Sequence, residues 1–166
     1  MAFANKELPE FHPALTPSQM LELGIFEGKY FMASTEEYPD DWFTRAKLSV
    51  ASNVSINFFK VKSCQPLSVW QENGWINDAD PNGWLQWFCR FTMGRRIDDD
   101  DRQIKRHRAF ARHSAQVKKN GNRDTTKRII QRQALLQWSW DPFPDFPDLE
   151  GESVFDKMIR VRKDAR

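Results

Sequence analysis

A mainly α fold is predicted: a compact helical domain of three longer helices, with short aromatic-rich elements before them and an extended C-terminal tail after them. Three observations carry that prediction. Helix start and stop residues bracket three long segments between Asp80 and Trp140. Within those segments the apolar residues sort onto faces when placed about 100° apart. The 166 residues are 40% hydrophobic and hold 22 aromatic rings, seven of them tryptophan, enough for one core and too few for two.

Residues 1–15 read as an N-terminal arm, 16–141 as the helical domain, and 142–166 as a Pro-rich linker and C-terminal docking segment. Thr16 is placed to cap a short helix from Pro17 to Leu23, with Gln19 closing a capping box and Gly24 as the stop. A further short helix is expected after Pro39, and another from Leu67 to Glu72, stopped by Gly74. Asp80 and Pro81 open the first long helix, which Gly94 ends. The second runs from Asp98 to about Lys118, with acids in its first turn where the helix dipole favours them. The third runs from Asp124 or Thr125 to Trp140, before Pro142. In the tail, Val154, Met158 and Val161 have helical spacing, suited to docking on the body or on a partner.

Charge is unevenly distributed. Residues 1–89 hold six basic and eleven acidic side chains, residues 90–132 fourteen and five, and residues 133–166 five and seven. The basic middle third is what a phosphate-bearing partner would meet, and a solvated helical surface gives the same count. The apolar run from Trp84 to Met93 is broken by Gln86 and Arg90 and falls short of a membrane span. The first fifteen residues lack the basic and apolar regions of a secretory signal, and Cys64 and Cys89 form no CxxC pair, so an intracellular protein without a disulfide framework is expected.

The faces single out candidate residues. In the first long helix Asn82, Gln86 and Arg90 form the one polar stripe of an otherwise apolar cylinder. A guanidinium there requires acceptors, because an unpaired buried charge costs several kcal/mol. In the second, Arg102, Arg106, Ala109, His113 and Gln116 align on one side, opposite a seam of Ile104, Ala111 and Ala115. Arginines at i and i+4 repel each other unless carboxylates or a bound anion lie beside them. In the third, Arg128 and Arg132 share an edge, while Gln133 and Gln137 sit among apolar neighbours and must clamp backbone or line a cleft.

The stretches WQENGWI, DPNGWLQWFCRFTMGRRIDDDDRQIKRHRAFARHSAQ and QRQALLQW resemble a functionally uncharacterised family of small conserved proteins of plants, fungi, bacteria and phages. The similarity runs from Leu23 to Trp140. It implies that Arg90, Arg95, Arg96, Asp98, Arg102, Gln103 and Arg106 belong to a family motif, without assigning their roles. Relatives often carry cysteines where this chain has KKNGNRDTTKRII, so no family metal or redox chemistry carries over.

Two readings of the arginines stand side by side. Arg90, Arg95, Arg96, Arg102, Gln103, Arg106, His113, Arg128 and Arg132 form a phosphate or nucleic-acid site, or the arginines are joined in an internal network with Asp98, Asp99 and Asp101 as acid partners. His113 is the candidate general acid or base, though the sequence favours a structural histidine, as no nucleophile is paired with it. The tryptophans serve as core or as stacking platforms for bases. No P-loop, GxGxxG, GxSxG or HExxH motif occurs, and neither a cofactor nor a metal is indicated. The leading function is a nucleic-acid-binding module for DNA or RNA. The alternatives are an enzyme acting on a nucleotide or other phosphorylated substrate, and a subunit docking a protein partner through residues 142–166.

Overall fold

Helix α1 (Pro17–Leu23) begins where the sequence places it, with Thr16 and Gln19 exchanging both hydrogen bonds of the capping box. The structure, a computed structural model, describes residues 8–30, 35–65 and 67–165. The first seven residues of the expected arm lie outside that range. Residues 8–15 form no helix and are tied down at Ser139, which bonds Ala14 through its carbonyl and Leu15 through its hydroxyl. Gly24 ends α1 at φ 109°, and a Cβ there would sit 2.0 Å from the Ile56 carbonyl oxygen, so only glycine lets these two segments meet. Short 3₁₀ turns follow at Phe26–Gly28, Asp40–Phe43 and Val54–Ile56, and α2 spans Leu67–Glu72.

The first long helix is shorter than its sequence signals. Helix α3 covers Trp84–Thr92, not the stretch from Pro81, because Asp80 does not cap it. Asp80 is buried and its carboxylate takes Arg90 and Arg95, while Asn82 and Gly83 make the turn into the helix. Trp84, Leu85, Trp87, Phe88 and Cys89 are all at most 2% exposed, and α3 is the centre of the core. Burial of a Phe-sized side chain is worth about 1.5–3 kcal/mol.

The second long helix divides. Helix α4 (Asp100–Ala109) and helix α5 (Ala111–Asn120) meet at Phe110, whose ring stacks on Trp138 at 4.5 Å and 21°. That stacking sets the place of the break. Asp100 rather than Asp98 opens α4, and its buried carboxylate accepts from the Ile97 backbone N–H and the Trp87 indole N–H. Helix α6 (Ile129–Gln137) starts later than expected, after Arg128 in the left-handed region at φ 58°. The carbonyls of Asp124 and Lys127 accept from the Arg132 guanidinium, which draws that segment into a loop.

Gln133 and Gln137 clamp neighbouring backbone, as their place on an apolar face requires. Gln133 bonds the Gly24 carbonyl and the Phe59 N–H, and Gln137 bonds the Phe26 N–H and the Ser63 carbonyl. The C-terminal segment docks on the body. Phe143, Met158 and Val161 are in the core, helix α7 (Val154–Asp164) is capped by Ser153, and buried Lys157 bonds Asp141 and Asp148. Among the described residues no helix is long and apolar enough to cross a membrane.

Candidate nucleic-acid interface

Most of the arginine constellation is joined internally. Arg90 donates to both carboxylate oxygens of Glu37 at 2.5 and 3.0 Å, to the Ala79 carbonyl and to Asp80. The Glu37 hydrogen bonds hold its guanidinium above the ordinary arginine range. Arg95 completes the buried Asp80 at 2.6 Å. Arg96 folds back onto the carbonyls of Phe91 and Arg95, with its charge 3.6 Å from the centre of the Phe91 ring. Arg102 grips Asp99 through two bonds, and the Gln103 amide donates to the same carboxylate.

Arg132 is wholly buried against Asp145, and Arg128 is exposed and reaches Gln131. Of the acid run, Asp99 and Asp101 are partners, the latter of Lys105, while Asp98 is exposed. Asp100, the most deeply buried of the four, bonds the Trp87 indole and the Ile97 backbone and not an arginine. Four identical residues in a row give no sign of which one the helix phase turns inward.

Arg106, like Arg96 and Arg128, bonds neutral acceptors, and of these three it alone lines a groove. Its hydrogen bonds go to neutral acceptors, the Trp75 carbonyl and the Gln103 amide oxygen, both at 3.1 Å. Its guanidinium lies 5.6 Å from the Trp70 ring centre and 5.3 Å from that of Trp138. Burial, with the charge of Arg102 nearby, lowers its pKa to about 10. Neutral oxygens and aromatic rings hold that charge directly, while the nearby Asp99 carboxylate, bonded to Arg102, compensates it only in part, and an anion would complete the compensation.

Arg106 lines an open groove of about 830 Å³ bounded by residues 63–65, α2, Trp75 and helices α4, α5 and α6. Arg112 and His113 line it too, with His113 Nδ1 accepting from Gln131 at 3.2 Å. The groove wall is a ladder of rings: Trp70 on Trp138 at 6.1 Å, Trp138 on Phe110 at 4.5 Å, and Phe110 on His113 at 5.1 Å. Trp75, 43% exposed, stands edge-on to Trp70.

Comparison with protein-family models, curated proteins and solved structures finds no match. The chemistry of the site therefore rests on its own geometry. Of the residues singled out in the sequence, Arg106 and His113 line the groove and Arg90, Arg95, Arg96, Arg102 and Arg132 do not. Among the described residues no three His, Cys, Asp or Glu side chains gather as a metal site.

A cavity of about 460 Å³ adjoins the groove through Cys64, Gln65, Trp70 and Trp138, and sequence reasoning missed it. Glu27 lines it at 6% exposure, and its Oε1 is buried without a hydrogen-bond partner. Leaving such a group unpaired costs about 1–3 kcal/mol. The turn that carries it holds Phe26, Glu27 and Gly28 at φ 46°, 59° and 76°, a left-handed run that side-chain-bearing residues rarely adopt. The signal available in the sequence was one acid inside the apolar stretch LGIFEGKYF, the same kind of oddity that drew attention to Arg90.

Proposed function

We propose that the protein binds single-stranded nucleic acid along the groove between α2 and helices α4–α6. The observation that carries this reading is Arg106, a cation held by neutral acceptors beside the stacked rings of Trp70 and Trp138 in an open groove. Single-strand binders pair a positively charged groove with aromatic faces that stack on bases of any sequence, and each stacked base contributes about 1–3 kcal/mol. Exposed Arg108, Arg112, Lys118, Lys119, Arg123, Lys127 and Arg128 supply further charge between residues 108 and 128, a stretch whose single acid is Asp124. These cations support backbone contact, which positions a strand without reading its sequence.

The enzyme alternative draws less support. It requires Arg90, Arg102, Arg106 and His113 to converge on one pocket, whereas Arg90 is held by Glu37 and Asp80 away from the groove lining and Arg102, though it reaches the Trp75 carbonyl, is held by Asp99. The docking-arm alternative requires a free C-terminal segment, whereas Phe143, Met158 and Val161 are buried in the body.

The test is a titration of a labelled single-stranded oligonucleotide at several salt concentrations. Binding through several phosphates gives a log–log slope of about −0.7 per phosphate neutralised. Affinity unchanged between low and moderate salt, or absent at low salt, overturns the proposal.

A further inference from the structure

The cavity that holds Glu27 is separate in chemistry from the groove. The groove is lined by Arg106 and Arg112 beside stacked rings, whereas the cavity is lined by Glu27, whose buried Oε1 has no hydrogen-bond partner. Its volume of about 460 Å³ falls in the range of roughly 300–1,000 Å³ that small-ligand sites occupy. Its walls are flat rings, those of Trp70, Trp84 and Trp138, and Lys29 and Lys62 are exposed at its margin.

Glu27 is fixed in place. Its backbone N–H donates to Asn57 at 2.7 Å, the preceding N–H donates to Gln137, and its carbonyl accepts from Asn53. Gly28 lies so close to the 48–49 backbone that an added Cβ would be 2.9 Å from the Ser49 nitrogen. The fold thus holds a left-handed turn from three sides, and that turn delivers an acceptor for which the protein supplies no donor.

We infer that this cavity is a recognition pocket for a guanine-type base, delivered either by a strand lying in the groove or by a free nucleotide; the first source rests on the nucleic-acid reading above. A carboxylate offers acceptors only. Among the common bases, guanine alone places two donors side by side, its N1–H and its N2 amino group. Adenine and cytosine set a ring acceptor next to the amino group, and uracil and thymine flank their N–H with two carbonyls, so each of these turns lone pairs toward Glu27. The half-buried Trp70 meets the base ring, with Trp84 and Trp138 buried behind it as apolar wall, and Lys29 and Lys62 meet the phosphate. The cavity shares Trp70 and Trp138 with the groove, so a base turned out of a strand has a continuous path between the two.

The experiment is calorimetric titration of the full chain with GMP, AMP, CMP and UMP, repeated on Glu27→Gln. The pocket predicts GMP at least about tenfold tighter than the other three, and loss of that preference in Glu27→Gln, which replaces a carboxylate oxygen with a donor. Four nucleotides binding alike, or Glu27→Gln retaining the GMP preference with its fold intact, overturns the inference. If Glu27→Gln does not fold, alkylation of Cys64 in the unaltered protein decides, since Cys64 lines the same cavity. GMP slowing the alkylation where AMP does not supports the pocket, and equal rates overturn it. Oligonucleotides separate the sources. GMP binding without oligonucleotide binding keeps the pocket and removes the groove, whereas oligo-U binding that an inserted G does not strengthen, with no GMP preference, keeps the groove and removes the pocket.

Discussion

Arg132 on α6 and Asp145 in the C-terminal segment face each other through two hydrogen bonds of 2.7 and 2.8 Å, with side chains 0% and 3% exposed. The same guanidinium also bonds the carbonyls of Asp124, Lys127 and Pro142, so one side chain joins the α5–α6 loop, α6 and the C-terminal segment. Removing one partner of a buried pair leaves the other charge uncompensated, at a cost of about 3–5 kcal/mol. Arg132→Met is therefore expected to lower the unfolding free energy by that order, with a lower midpoint, and Asp145→Asn by a similar amount, as read from urea unfolding followed by tryptophan fluorescence. A midpoint unchanged in both variants would show that the C-terminal segment is not held through this pair.

Asp145 also sets a pH dependence. Burial raises its pKa, but the hydrogen bonds and charge of Arg132 more than offset burial and leave it below the usual aspartate value. A carboxylate depressed in the folded state stabilises above its unfolded pKa and loses that contribution as pH falls through the folded value. The expected outcome is a midpoint that falls with acid below about pH 4, with a shallower fall in Asp145→Asn.

His107 gives a second, separable pH effect. It is 3% exposed, stacked between Trp84 and Trp140 with Phe11 edge-on, and burial pushes its pKa down to about 4 despite the Ser139 carbonyl near Nε2. The folded protein keeps the ring neutral while the unfolded chain takes up a proton below about pH 6.5. Stability therefore rises with pH between about 4 and 6.5, and the full difference is on the order of 3 kcal/mol. His107→Phe keeps the stacking and removes this titration, so thermal melts of the variant across that window should slope less steeply than those of the unaltered protein, most clearly between about pH 5.5 and 6.5 where carboxylates no longer titrate.

How much of this was legible in the sequence differs from residue to residue. Arg90 was placed correctly on a polar stripe that needed acceptors, yet its partners are Glu37, fifty-three positions away, and Asp80. Helical periodicity locates a face but carries no information about which distant segment covers it. The clamping role of Gln133 and Gln137 was legible because an amide on an apolar face has few other uses. The break at Phe110 was not, since no Gly or Pro marks it and the cause is a stacking contact with Trp138, twenty-eight residues on. The Glu27 turn was hidden for a related reason: left-handed φ at Phe26 and Glu27 is imposed by Asn57 and Gln137 and is not encoded by local propensity.

The division between structural and free arginines yields the prediction that separates the two readings of the basic segment. Arg106→Gln removes the one groove cation held by neutral acceptors. It should weaken binding of a single-stranded oligonucleotide and reduce the salt slope by about one contact, while leaving the unfolding midpoint nearly unchanged. Arg90→Gln should do the reverse, because it leaves Glu37 and the buried Asp80 short of a partner: lower stability, with affinity and salt slope retained. Trp70→Ala should lose the stacking contribution of about 1–3 kcal/mol at constant salt slope, since an indole neutralises no phosphate. Equal losses of affinity in Arg106→Gln and Arg90→Gln would mean that the fold as a whole, and not the groove, governs binding.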